Sequence, residues 1–275
     1  MLKIRIIPVL LLKNGILVRS RSFSFHQLIG NHIEQAKRFS EWKADEIIYL
    51  DITRDNVYGF DKIENIIGST SSKSEVAKNS RKNMIEIVQD VSKICRVPLT
   101  IGGKIRSLND IRDRLKAGAD KVVLNTAAIE NPSLIRQAAD EFGSQCIVVC
   151  LDLKSTQKNK WTLFKKFGKE KTDLSIINWI QKIQELGAGE ILLQSIDRDG
   201  TGTGYDLNLL KKVSKYIDVP FIVLGGVGKF DDFIKAHNIN REVPLAAANI
   251  FHFTEQSTLN AKKYLSESKI NVRTF

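Results

Sequence analysis

The chain has 275 residues, 43% hydrophobic and 27% charged, with a formal net charge of +11. This excludes a low-complexity or fibrous chain, and no apolar run approaches the roughly 20 residues needed to cross a bilayer. The cysteines Cys95, Cys146 and Cys150 lack metal-ligand spacing, the cations are scattered, and Met1–Ile6 enters a strand-like run with no signal-peptide pattern. A reduced, cytoplasmic protein is therefore expected, with an anionic small-molecule ligand and without a metal, a cofactor, a membrane or a nucleic-acid partner.

In chain order, eight short β-branched runs read as strands: Ile4–Leu12, Glu46–Asp51, Val97–Gly102, Lys121–Asn125, Cys146–Asp152, Glu190–Ser195, Phe221–Leu224 and Leu245–Asn249. Nearly all are apolar throughout, the pattern of strands covered on both faces. Amphipathic stretches separate them. In Ser107–Ala117, for example, Ser107 is an N-cap and Gly118 follows the last turn. Alternation of this kind predicts βαβ units and a parallel sheet. The Ser/Lys-rich stretch about Asn56–Lys82 breaks the rhythm after the second strand.

The chain also repeats itself. Ile6-Ile7-Pro8-Val9-Leu10-Leu11-Leu12-Lys13 aligns with Ile147-Val148-Val149-Cys150-Leu151-Asp152-Leu153-Lys154, and Ala44-Asp45-Glu46-Ile47-Ile48 aligns with Ala188-Gly189-Glu190-Ile191-Leu192. Val97-Pro98-Leu99 aligns with Val219-Pro220-Phe221, and Asn125 falls opposite Asn249. Eight strands in two similar halves predict a single (β/α)8 TIM barrel, with half-barrels of about 1–140 and 141–275 and an insertion of about 54–85.

Several motifs have one home: Gly102-Gly103-Lys104-Ile105-Arg106-Ser107, Gly118-Ala119-Asp120-Lys121-Val122, Asn125-Thr126-Ala127-Ala128, Gly187-Ala188-Gly189-Glu190, Asp197-Arg198-Asp199-Gly200-Thr201, Gly225-Gly226 and Phe251-His252-Phe253. Together they resemble the cyclase subunit (HisF) of imidazole glycerol phosphate synthase, from Met1 to about Arg273. The resemblance implies a barrel that takes ammonia from a docked HisH-like glutaminase at its N-terminal end. The ammonia passes through the barrel to a bis-phosphorylated ribonucleotide at the C-terminal rim.

Gly-rich turns after strands let backbone N–H groups approach phosphate oxygens. Gly102, Gly103, Lys104, Asn125 and Thr126 are the first-half candidates. Gly225, Gly226 and Asn249, aided by Asp199, Gly200 and Arg19, are the second-half ones. By the resemblance, Arg5, Glu46, Lys121 and Glu190 form a charged ring at the ammonia entrance, and Asp120 faces the glutaminase. Asp152 matches one of two catalytic aspartates. The other position holds Leu11, which cannot move a proton. Lys104 stands where the family has glycine, Leu224 and Asn249 stand where it has serine, and Arg19 where it has lysine.

A kept passage with a lost acid resembles a divergent HisF-like branch of surface-polysaccharide pathways, in which a third, ATP-using protein builds an acetamidino group on a sugar. Three readings stay open. One is an amidotransferase subunit with such an acceptor. A second is a working cyclase in which another group replaces the aspartate. The third is a scaffold that activates the glutaminase.

Overall fold

Runs that are apolar on both faces need cover on both faces, and closure into a barrel with helices outside supplies it. The computed structural model describes residues 3–21, 23, 25–53, 58, 83–253, 255 and 257–273. The insertion expected at 54–85 falls largely outside them.

The barrel is built from β1 (Ile6–Lys13), β4 (Ile47–Asp51), β5 (Leu99–Gly102), β6 (Lys121–Leu124), β7 (Ile147–Gln157), β10 (Glu190–Ser195), β11 (Phe221–Leu224) and β12 (Leu245–Ala247). These pair in parallel in that order, and β12 returns to β1 through Ile6↔Leu245 and Pro8↔Ala247. Sequence and structure agree on all eight barrel strands to within a few residues. Ile7, Val9, Leu11, Ile48, Val148, Cys150, Leu192, Ile222 and Ala246 join in one buried cluster, and their partners along the same strands pack with the helices. Two-residue alternation separates these two sets.

Among the described residues the α-helices are α1 (His32–Glu41), α2 (Met84–Ser92), α3 (Leu108–Lys116), α4 (Thr126–Glu130), α5 (Ser133–Phe142), α6 (Ile176–Glu185), α7 (Leu207–Val213), α8 (Asp231–Ile239) and α9 (Thr258–Glu267). The capping expectation holds for α3. Ser107 accepts from the Asp110 amide, Asp110 answers at the Ser107 amide, and Gly118 follows with φ 112°. Two short acids, buried Asp45 and exposed Asp120, tie the bottom of the barrel together. Asp45 accepts from the Ile6 amide at 2.8 Å and pairs with Lys262 at 2.7 Å, and Asp120 accepts from the Leu99 amide at 2.7 Å.

Two antiparallel extensions were not among the expected strands. β2 (Ile16–Arg21) and β3 (Phe25–Gly30) fold back from β1, while β8 (Lys160–Lys165) and β9 (Glu170–Lys171) fold back from β7. The first turn is Asn14-Gly15, both with positive φ (54° and 79°), the pair that a tight hairpin matched to strand twist requires. In the second, Asn159 takes the same left-handed conformation at φ 60°. Both extensions rise from the C-terminal ends of opposite barrel strands, so they wall the same rim.

Candidate active site

Between those walls lies a cleft of about 640 Å³, lined by Leu11 and Lys13 from β1, Asp51 from β4, Gly103 and Lys104 after β5, Asn125 and Thr126 after β6, and Cys150 and Asp152 from β7. His26 of β3 and Lys166 and Phe167 beyond β8 close it from above. Asp152 is buried, and the Cys150 thiol donates to its Oδ1 at 3.3 Å. Burial pushes the Asp152 carboxyl up to about 6, with Asp199 adding to the rise and the thiol opposing it. A carboxyl poised there exchanges protons readily near neutral pH. Leu11 is 5% exposed and belongs to the apolar lining of the barrel interior. Of the two repeat-related positions, Asp152 is a carboxyl and Leu11 is hydrocarbon.

The raised carboxyl makes a stability prediction. Its ordinary value is 3.8, so between about pH 4 and 6 the folded chain holds a proton that the unfolded chain has released. Stability from this group is full below pH 4, is lost as pH rises through 6, and is flat above. Asp152→Asn should therefore be more stable than the unaltered chain at pH 8, by up to about 3 kcal/mol, since each tenfold change in proton affinity is worth about 1.4 kcal/mol. The gain should vanish at pH 4. Urea midpoints of both proteins at the two pH values measure it; equal midpoints at pH 8 would show that the carboxylate is not desolvated.

The first-half loop has little steric freedom. A Cβ on Gly103, at φ 97°, would lie 2.3 Å from the Asp51 carbonyl oxygen. Lys104 holds the left-handed conformation at φ 55°, which an L side chain adopts only at a cost. Its Nζ lies 4.0 Å from Asp51 and 5.0 Å from the centre of the Tyr58 ring. Buried Arg114 donates to the carbonyl oxygens of Gly103 and Lys104 at 3.2 and 3.5 Å. With those acceptors engaged, the loop offers a ligand mainly donors. Asn125 donates to the Cys150 carbonyl at 3.0 Å, and Thr126 Oγ1 accepts from the Lys166 amide at 2.9 Å. Gly102 is packed against Leu50 and Val123 instead of lining the cleft.

A second cavity of about 600 Å³ opens beside the first, lined by Arg19, Arg21, Gly200, Thr201, Gly202, Val227, Gly228 and Asn249. Of the expected second-half residues, Arg19, Gly200 and Asn249 lie on it. On the remaining wall the lining runs through Val227 and Gly228, beyond Gly225 and Gly226. Asn249 donates to the Ser20 carbonyl at 2.7 Å, and Asp199 accepts from Ser20 Oγ at 2.9 Å and from the Phe23 amide at 3.4 Å, so both hold the β2–β3 hairpin in place. His252 beneath is pushed down to about 4 by burial, with Arg38 and Arg19 adding to the fall. Among the described residues this lining holds two arginines and no carboxylate, which favours an anion. Sulfate soaked into crystals should occupy the loop at Gly103–Lys104 first and the Arg19–Gly200 cavity second. Two empty sites at high sulfate would contradict a phosphorylated ligand.

At the opposite end of the barrel, four charges close a ring. Arg5 pairs with Glu46 at 2.6 Å and with Glu190; Lys121 pairs with Glu46 at 3.1 Å and with Glu190 at 2.8 Å. Thr100 Oγ1 donates to the remaining Glu46 oxygen at 2.6 Å. Burial opposes the Arg5 charge, but Glu190 and Glu46 outweigh it and raise the guanidinium's pKa. All four residues that the sequence places in the ring meet in it. Asp120 is exposed next to Lys121, on the same end. Among the described residues no group of three or more His, Cys, Asp or Glu could hold a metal ion, and no helix is long and apolar enough to cross a membrane.

Sequence reasoning missed His26, Asp51, Glu130, Lys166 and Phe167 of the rim cleft. The Asn14-Gly15 pair was the available signal for the hairpin that carries His26. Nothing local marks the others, which are brought in by barrel closure.

The profile of the family described as "Histidine biosynthesis protein" matches residues 74–257. The chain is 40% identical over 273 residues to the "Imidazole glycerol phosphate synthase subunit HisF" of Hydrogenobaculum sp. (strain Y04AAS1), covering 99% of this chain and 100% of that protein. The protein of the same description from Dictyoglomus thermophilum (strain ATCC 35947 / DSM 3960 / H-6-12) is 41% identical, with 99% of each chain covered. That from Bacillus cereus (strain G9842) is 38% identical, again over 99% of this chain and 100% of the other.

Proposed function

The chain belongs to the HisF family of imidazole glycerol phosphate synthase subunits, and from that premise we propose that it is the synthase subunit of a glutamine amidotransferase whose acceptor differs from the family's ribonucleotide. A HisH-type glutaminase docks on the N-terminal end, ammonia enters through the ring of Arg5, Glu46, Lys121 and Glu190, and the acceptor lies in the rim cleft beside Asp152. The observation that carries this reading is the contrast between the two ends. The ring is complete to the last ion pair, whereas Leu11 and Leu224 extend the apolar lining where the family has an acid and a hydroxyl. By the resemblance, the acceptor is a phosphorylated or nucleotide-linked sugar, and a third, ATP-using protein takes part. The retained cationic loops suit a phosphorylated group.

The second reading is a working cyclase of histidine biosynthesis. The roughly 40% identity to full-length HisF subunits favours it. A scaffold without chemistry fits less well, because a buried carboxyl held near 6 in an open cleft is costly to keep for no use.

The partner face provides the test. Asp120→Asn keeps an acceptor for the Leu99 amide and removes only the charge. Against an immobilised HisH-type glutaminase in low salt, this variant should bind about tenfold more weakly than the unaltered chain, a loss of about 1.4 kcal/mol. Stimulation of glutamine hydrolysis should fall with it. An unaltered chain that neither binds the glutaminase nor stimulates it would sink the docking model.

A further inference from the structure

We infer that His26, backed by Lys13, is the proton donor that faces Asp152 across the rim cleft, in the role that Leu11 cannot fill. The inference rests on the proposed amination at this rim.

Leu11 and Lys13 are two residues apart on β1, so their side chains share a face, about 7 Å apart along the strand. The β2–β3 hairpin folds back over that face, and its Ser20↔His26 pair brings the imidazole down onto the cleft. His26 is 8% exposed, lines the cleft with Leu11, Lys13 and Asp152, and has its Nδ1 3.4 Å from Lys13 Nζ. Strands β1 and β7 stand four places apart in the ring of eight, so Lys13–His26 and Asp152 face each other from opposite walls. The other two carboxylates on the cleft lining, Asp51 and Glu130, have partners of their own. Asp51 accepts from the Tyr58 hydroxyl and the Thr53 amide, and Glu130 is bound by Lys165 and Lys166.

An ammonium group only donates, so Nδ1 accepts from Lys13 and the ring carries its own proton on Nε2. When ammonia adds to a carbonyl carbon, the C–N bond forms and the C=O π pair moves to oxygen. That oxygen takes the Nε2 proton, Nδ1 takes one from Lys13, and the new nitrogen gives its excess proton to the Asp152 carboxylate. The imidazole ends neutral with its tautomer exchanged, Lys13 ends as an amine, and no further reactant is needed.

The test uses the family's bis-phosphorylated ribonucleotide as probe, with ammonium and the full chain in excess, in single turnover. The unaltered chain should give a slow but measurable rate. His26→Gln and Lys13→Met should each lower it by at least about tenfold, with half-saturating probe concentration unchanged. Because the two residues form one relay, the double variant should be no slower than the slower single one. Leu11→Asp combined with His26→Gln should turn over at least as fast as the unaltered chain, which separates lost chemistry from misfolding. No product from the unaltered chain, a His26→Gln rate within twofold of it, or losses that multiply in the double variant would each overturn the relay. A fast rate in the unaltered chain that His26→Gln abolishes would instead overturn the proposed change of acceptor and leave the relay standing.

Discussion

With ammonium supplied directly, Leu11→Asp should turn over the family's bis-phosphorylated ribonucleotide at least about 10²-fold faster than the unaltered chain. A positioned acid or base contributes about 10²–10⁴-fold, and the repeat sets position 11 against Asp152 on the opposite barrel strand. The carboxylate would replace a side chain that pairs with Val18 and Leu50 and is almost wholly buried, so the substitution also costs stability. Lys13, two residues on and on the same face, would offset part of that cost. Full recovery to the level of the family is not expected. By the resemblance, Lys104 replaces a glycine in the first-half loop and Leu224 replaces a serine at the end of β11. Steady-state rates of imidazole product formation for the two proteins decide the matter. Equal rates would mean that Leu11 is not where the chemistry was lost.

The fold was legible because closure leaves its mark on every strand. Two-sided burial of β10 shows in the apolar run Ile191-Leu192-Leu193 within a wholly buried strand, and its observed bounds match those read from the sequence. The ring was read from the family resemblance, and the cost of burying charge agrees with it. Glu46 and Glu190 sit at repeat-equivalent starts of apolar strands, where a lone acid would be too costly to keep. The hairpins were less legible. Ile16–Arg21 carries two arginines and Phe25–Gly30 carries His26 and Gln27, so neither shows the uniform apolar run that marked the barrel strands. Only the turn chemistry of Asn14-Gly15 betrays them. The rim cleft itself depends on which loops meet after closure. Asp51 and Tyr58, or Glu130 and Lys165, are joined by no spacing that a linear reading weighs.

The charged ring carries the last expectation, and its members should not be equivalent. The side chains of Glu46 and Glu190 are 2% and 5% exposed, whereas those of Arg5 and Lys121 are 27% and 20% exposed. Removing a cation leaves two carboxylates that water scarcely reaches to share one cation; removing a carboxylate leaves cations that water can partly solvate. Lys121→Met should therefore destabilise by about 3 kcal/mol or more, the usual cost of an unmatched buried charge. Glu190→Gln should cost visibly less. The double variant, with charge again balanced, should be more stable than Lys121→Met alone, although it contains one substitution more. In the complex with a HisH-type glutaminase, Lys121→Met should leave glutamine hydrolysis running while less ammonia reaches the rim, because the excess negative charge at the mouth holds ammonium. Urea unfolding of the three variants gives the stabilities, and ammonia released to solvent per glutamine hydrolysed gives the coupling. If Lys121→Met and Glu190→Gln cost the same and their losses add in the double variant, the four residues are two independent pairs and not a closed ring.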